Sequence, residues 1–281
     1  MSEFNNEISK VPSPLVSVII PYYRHLEFIG ETITSVYNQN YCNFELIVVD
    51  DGSNDGSECM LRALQEQFGF QLFVKENGGV SSALNLGVKK SIGKYICLIG
   101  SDDVMETSRI SKQVDLLESD SELSGCSSYV TRIDSRGFVI NRVNPKPEGV
   151  VDFNYFFSTD FYFPGPAAMY RAKCLREVEL FSEGLAIEDW DMYLKLTRSG
   201  KKMFLSSEFL TRYRVHNNTS ANNFKMFSGI VDVLLINKEY SKLNFYKIIT
   251  FQLFRYIYRT IKDKKLKDIP KLIKVYISNV F

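Results

Sequence analysis

Residues Lys94–Asp103 read KYICLIGSDD. An apolar run ends in Gly100 and Ser101, and then in two adjacent carboxylates, Asp102 and Asp103. A short apolar run bounded by turn residues reads as a buried strand. Two like charges side by side are costly unless something positive lies near them. Adjacent acids are commonly solvated turn residues or helix caps. At the end of a buried strand they also offer two hard oxygen donors, which suit Mg²⁺ or Mn²⁺ carrying a phosphate-bearing ligand.

Three similar units precede this stretch. LVSVIIPYY (Leu15–Tyr23) reads as a buried strand, and Phe28, Ile29, Thr32, Ile33, Val36 and Tyr37 then share one helical face. FELIVV (Phe44–Val49) is a second strand, followed by the acidic, glycine-rich turn DDGSNDGS and a helix over Glu58–Phe68. FQLFV is a third strand, and VSSALNLGVKKS a third helix. Alternation of apolar strands with helices predicts an α/β fold: a mostly parallel sheet with helices on both faces. In such sheets ligands bind beyond the carboxyl ends of the strands. Four segments should therefore meet at one edge: Pro21–Tyr23, Asp50–Ser53, Lys75–Gly79 and Ser101–Asp103.

Further along, Arg109–Ser119 reads as helix, and GCSSYVTRIDSRGFVI as two strands around a turn at Asp134–Gly137. Residues 141–170, rich in Pro, Gly and aromatics, are expected to be loops over the sheet edge. EDWDMYLKLTRSG reads as an amphipathic helix that opens on acids. Acids in a first turn complement the helix dipole, and one at the lip of a pocket also serves as a general base for an alcohol. Only two histidines occur, His25 and His216.

The 281 residues, 45% hydrophobic and 24% charged, suffice for one large domain with an appendage. No G-x-G-x-x-G and no G-x-x-x-x-G-K-[ST] occurs, which argues against NAD oxidoreduction and P-loop ATP hydrolysis. Five cysteines without a C-x-x-C pair read as thiols in a reducing compartment. The polar start, MSEFNNEISK, does not read as a secretion signal. A cytoplasmic protein is expected, with the inner face of the cell membrane as an alternative place. The net charge of +1 is unevenly spread: residues 1–221 hold 22 Lys and Arg against 29 acids, and residues 222–281 hold 12 against 4.

Five segments in order, VSVIIPYYR, QNYCNFELIVVDDGSNDGS, ENGGVSSALNLGVKKSIGKYICLIGSDD, EDWDMYLKL and YRVHNNTS, closely resemble glycosyltransferase family 2, whose members have the GT-A fold. The resemblance spans about Val16 to Ser220. It implies transfer of a sugar from a nucleotide-diphosphate donor, UDP-linked as the expected case, with inversion and with Mn²⁺ or Mg²⁺. The acceptor would be a saccharide or a lipid-linked saccharide, and no nucleic acid is implied.

By resemblance, Pro21 and Tyr23 line the nucleobase, Asp51 reads its edge, and Asp102 faces the ribose or sugar. Asp103 is then the metal ligand, His216 lies by the diphosphate and metal, and Asp189 is the general base. Asn77, in the third strand-end segment, joins the expected donor-binding set. The sequence departs from the family where Arg24 replaces a frequent Asn and Leu84 a frequent Arg; G-S-D-D also lacks an acid two positions before Asp103. Two rivals remain at this point: a nucleotidyltransferase that makes nucleotide-sugars, and a GT-A binding or scaffold subunit without catalysis.

The expected organisation is an arm over 1–14, a catalytic domain over 15–221 and a helical, basic and aromatic extension over 222–281. In the extension, Ile269, Leu272, Ile273, Tyr276, Ile277 and Val280 form one helical stripe. Such helices pack on the catalytic domain, on a second subunit, or on an anionic membrane surface.

Overall fold

Strand β1 (Val16–Tyr22) shows why the first half folds as it does. Its side chains alternate between the two faces of the sheet, yet nearly all are buried, so both faces must be covered. Val16, Val18, Ile20 and Tyr22 pack into one apolar layer, and Ile19 into the other. A computed structural model describes residues 13–216 and 222–280. Residues 1–12 of the expected arm over 1–14, the NNTS of the last family segment and Phe281 lie outside the described residues.

Helix α1 (Ile29–Tyr37) returns the chain to β2 (Phe44–Asp50), which pairs in parallel with β1. Helix α2 (Glu58–Phe68) leads to β3 (Gln71–Val74), parallel to β2. Helix α3 (Val80–Lys90) leads to β4 (Tyr95–Leu98), which crosses back to the other side of β1. The order β3-β2-β1-β4 therefore reverses direction at β1, and this is where an open α/β sheet opens a crevice at its carboxyl edge.

The second half extends the same sheet. Two-residue β5 (Val104–Met105) leads to α4 (Arg109–Ser119) and then to β6 (Leu123–Ile133). Strands β7 (Val139–Arg142) and β8 (Gly149–Val151) and the short helix α5 (Phe153–Phe156) follow. Strand β9 (Met169–Arg171) inserts antiparallel between β4 and β6. Helices α6 (Ala172–Glu177) and α7 (Glu188–Arg198) precede β10 (Lys202–Arg214), a thirteen-residue strand parallel to β6. The full order is β3-β2-β1-β4-β9-β6-β10-β5, with β7 on β6 and β8 on β10.

Two differences from the sequence reading have physical causes. The loops expected over 141–170 contain β8, α5 and β9, because three-residue strands are too short to show periodicity. Strand β10 escapes detection because Ser206–Glu208 break its apolar alternation. The ladder to β6 shifts register there, between Ser206 and Phe209 and again before Thr211.

Three helices close the chain: α8 (Asn223–Ile236), α9 (Lys242–Lys262) and α10 (Ile269–Val280). The Asn222 and Ser241 side chains cap the first two, accepting from Lys225 N–H and Asn244 N–H. Phe227, Val231, Phe245, Ile249 and Leu272 belong to the same apolar layer as Trp190 and Tyr193 of α7. The expected stripe on α10 is split: Leu272 is buried, Ile269, Tyr276 and Val280 are half-buried, and Ile273 and Ile277 are exposed. The extension therefore packs on the α/β unit through one side and leaves another side open.

Candidate active site

The four strand-end segments do meet. After β2, Asp51 is buried and its two carboxylate oxygens gather the loop that follows β3. Oδ1 accepts from Lys75 Nζ at 2.7 Å and Gly78 N at 2.9 Å, and Oδ2 accepts from Gly79 N at 2.7 Å. These amides belong to the start of α3, where a negative charge is favoured by the helix dipole. Asn77 Nδ2 donates to Asp51 O at 2.9 Å, tying the same loop from the other side. Asp50, one residue earlier, holds Ser53 through its N–H and hydroxyl.

After β1, Tyr23 is 40% exposed at the crevice, while Pro21 remains within the strand. Arg24 sits in the left-handed region at φ 56°. Its guanidinium lies 5.0 Å from the Tyr23 ring centroid, and its Nε donates to Ser53 O at 3.0 Å. The cation at this departure from the family thus braces one face of Tyr23 and leaves its charge by the crevice.

After β4, Gly100 permits what a larger residue would not. A Cβ there would lie 2.9 Å from both Asp102 Oδ1 and Asp103 Oδ2, so both carboxylates fold back over the glycine. From that shared origin they diverge. Asp103 is 1% exposed and its Oδ1 accepts from Arg214 N at 2.8 Å. Its backbone carbonyl accepts from Thr32 Oγ1 at 2.8 Å. Burial first, and then the neighbouring Asp102, push the Asp103 carboxyl well above the usual carboxylate range.

Asp102 instead faces two imidazoles. Its Oδ2 lies 2.7 Å from His216 Nε2, and its Oδ1 lies 3.8 Å from His25 Nδ1. The His25 and His216 rings meet edge to face at 5.2 Å, and His25 Nδ1 also lies 2.9 Å from Ser101 Oγ. Ligand atoms of His25, Asp102 and His216 all lie within 4.8 Å of one another. Among the described residues this is the one such group that could hold a metal ion. The expectation that Asp103 is the ligand and Asp102 the sugar contact therefore meets a different geometry: Asp102 stands with His216, and Asp103 is turned to the backbone of β10.

Arg214, fully buried at the end of β10, fixes this arrangement. Its Nε donates to Asp102 O at 2.7 Å, and its Nη1 to Asp134 O and Ser135 O, both at 3.1 Å. Its Nη2 pairs with Glu31, and its guanidinium lies 4.7 Å over the Phe28 ring. Sequence reading missed both His25 and Arg214. The signal for His25 was present, since a histidine two residues after Tyr23 stands at a strand end.

Asp189 lies in the first turn of α7, where the Trp190 N–H donates to its Oδ1 at 2.7 Å. Gly165 presses against its other oxygen: a Cβ there would lie 2.7 Å from Oδ2. Arg109, fully buried in α4, joins this loop to β4 by donating to Leu98 O at 2.7 Å and to Pro166 O at 2.8 Å. Asp189 is thereby referenced to the end of β4, the strand that leads into Asp102. Burial raises Asp189, against the hydrogen bond from Trp190. Burial and then the charge of Asp189 push Glu188 up to about 8. Asp191, the third acid of EDWD, turns away and accepts from Ser182 Oγ at 2.7 Å, beside Lys195.

Gly165→Ala should displace the Asp189 carboxylate, because the added Cβ would lie 2.7 Å from its Oδ2. A crystal structure of the variant tests this, and an unmoved carboxylate would contradict the close approach.

Comparisons with known proteins give the family and the type of fold. Residues 17–179 match the family model described as glycosyl transferase family 2. The chain belongs to glycosyltransferase family 2 and has the GT-A type of α/β fold. It is 32% identical over 227 residues to a protein of Rickettsia conorii described as an uncharacterised glycosyltransferase, covering 78% of this chain and 37% of that one. The chain thus spans little more than a third of that relative's length. Among solved structures, Staphylococcus aureus TarS 1–349 in complex with UDP-GlcNAc superposes with a TM-score of 0.72 at 17% identity, covering 95% of this chain and 81% of the other. The mannosyltransferase PcManGT of Pyrobaculum calidifontis, in complex with GDP-Man and Mn²⁺, gives 0.66 at 17% identity, covering 93% and 74%.

Proposed function

We propose that this chain is an inverting, metal-assisted glycosyltransferase that moves a sugar from a UDP-linked donor to a hydroxyl of a saccharide or lipid-linked saccharide. The observation that carries the metal reading is the grouping of Asp102, His216 and His25 within 4.8 Å at the carboxyl edge of the sheet. One carboxylate oxygen and two imidazole nitrogens form a donor set suited to a borderline divalent cation. This favours Mn²⁺ over Mg²⁺, which prefers oxygen ligands and retains its waters. His25 would be a third ligand beside Asp102 and His216, and Asp103 a positioning residue that locks Asp102 to β10. When bound, the cation neutralises charge on the leaving diphosphate.

The remaining residues have distinct tasks. Tyr23 offers a ring face to the nucleobase, within the segment that begins at Pro21. Asp51 supplies the carboxylate at the base edge, and Asn77 holds the loop that places Asp51. Asp189 accepts the proton of the acceptor hydroxyl as its oxygen bonds to the anomeric carbon. The bond from that carbon to the diphosphate breaks, and its electron pair leaves with the phosphate oxygen. A single displacement inverts the anomeric centre. The complexes of TarS with UDP-GlcNAc and of PcManGT with GDP-Man support a nucleotide-sugar donor.

A nucleotide-release screen over UDP- and GDP-sugars, with and without Mn²⁺, tests this function. Release from a UDP-sugar that needs Mn²⁺ is expected. No release from any donor, together with no Mn²⁺-dependent UDP binding, would overturn the proposal.

Glu188 gives a pH signature. Its carboxyl is raised to about 8 in the fold, so folding favours its protonated form. That contribution is complete below the ordinary glutamate range and is lost as pH rises through about 8. Relative to the wild type, Glu188→Gln should therefore become steadily more stable from mildly acidic pH up to about 8, and the gap should then level off. Thermal unfolding of both proteins across that range is the measurement; a constant gap would contradict the assignment.

A further inference from the structure

Helix α9 buries one side through Phe245, Ile249 and Tyr256 against the neighbouring helices. Its opposite side should be polar if water were its only neighbour. Instead, spacings of three and four residues line up Leu243, Lys247, Phe251, Phe254, Tyr258 and Ile261. Leu243 is 81% exposed, Phe254 66% and Tyr258 68%. Lys262 ends the stripe, and exposed Lys264, Lys265 and Lys267 follow in the turn toward α10. The nearby acids are engaged elsewhere: Asp263 accepts from Asn223 Nδ2 and Asp268 from Lys271 Nζ. Among the described residues no helix is long and apolar enough to cross a membrane.

We propose that this face of α9 rests on an anionic lipid bilayer, with the aromatic stripe in the interface and the lysines among the headgroups. Charge decides between the two apolar partners open to such a face. A twofold contact with a second copy would set one basic segment against another, each holding 12 basic residues against 4 acidic ones. An anionic leaflet supplies the opposite charge instead. Large aromatic and aliphatic groups beside lysine are also what an interfacial helix inserts. The inference does not depend on the donor or the metal.

Co-sedimentation of the full chain with vesicles provides the test. Binding is expected to vesicles of equal parts phosphatidylglycerol and phosphatidylcholine, and not to phosphatidylcholine alone. Phe254→Ser with Tyr258→Ser, and separately Lys264→Glu with Lys265→Glu and Lys267→Glu, should each weaken binding about tenfold or more. Both variants should keep the wild-type melting temperature and donor hydrolysis in solution, so a failed donor assay and a failed lipid assay are read separately. Absence of vesicle binding, equal binding to both vesicle types, or undiminished binding by the serine variant would overturn the proposal. So would a dimer in light scattering that the serine variant converts to monomer, which would give the face to a second copy.

Discussion

Asp189→Asn is expected to reduce sugar transfer by roughly 10²–10⁴-fold while leaving Mn²⁺ and UDP affinity unchanged. The substitution keeps the shape of the side chain, and its amide oxygen still accepts from the Trp190 N–H that now holds Oδ1 at 2.7 Å. What it removes is the capacity to take a proton from the acceptor. Loss of activity would therefore report chemistry rather than collapse of the first turn of α7. Single-turnover rates with saturating donor, alongside a melting curve, give the comparison. A fully active Asp189→Asn enzyme would require another base, and Glu188 would be the next residue to examine.

The second large effect separates the two acids after β4. Asp102→Asn should weaken Mn²⁺ binding beyond the roughly 10–100-fold typical of an outer-shell partner, because the proposed ligand itself is lost. Asp103→Asn should behave differently. Its amide oxygen can still accept from Arg214 N, the contact made at 2.8 Å, so the backbone is held and Mn²⁺ affinity is expected to persist. Titration of free Mn²⁺ by electron paramagnetic resonance reads binding directly, without turnover. The reverse outcome, with affinity lost in Asp103→Asn and kept in Asp102→Asn, would return the ligand role to Asp103.

Much of the first half was legible because it obeys local rules. The strands from Val16 to Leu98 are apolar on both faces, the helices between them carry plain periodicity, and parallel connections leave little choice of layout. The convergence of Asp51 with Lys75–Gly79 followed from topology alone. The different placement of Asp102 and Asp103 did not. It depends on which carboxylate the end of β10 covers, and β10 lay behind an alternation broken at Ser206–Glu208. His25 went unassigned for a related reason: its neighbour His216 is distant in the chain, and only folding brings the rings to 5.2 Å. The aromatic residues of α9 had a visible helical period, but period alone does not say which side meets the core.

Arg214 has a consequence for the order in which this protein becomes functional. The loop that Asp51 gathers lies at most 28 residues along the chain from it. The contact between Asp102 and His216 spans 114 residues and depends on β10 docking beside β6, a parallel pairing of distant segments. Contacts of such long reach form late and slowly. During refolding from denaturant, recovery of Mn²⁺ binding should therefore lag behind the burial of the β1–β4 core, and stopped-flow measurement of both signals would show the delay. Under the proposed function, a chain whose last strand has not yet seated Arg214 should have the crevice around Asp51 formed and the group of Asp102, His25 and His216 unassembled. A product that ends before Arg214 should then release no nucleotide from a sugar donor.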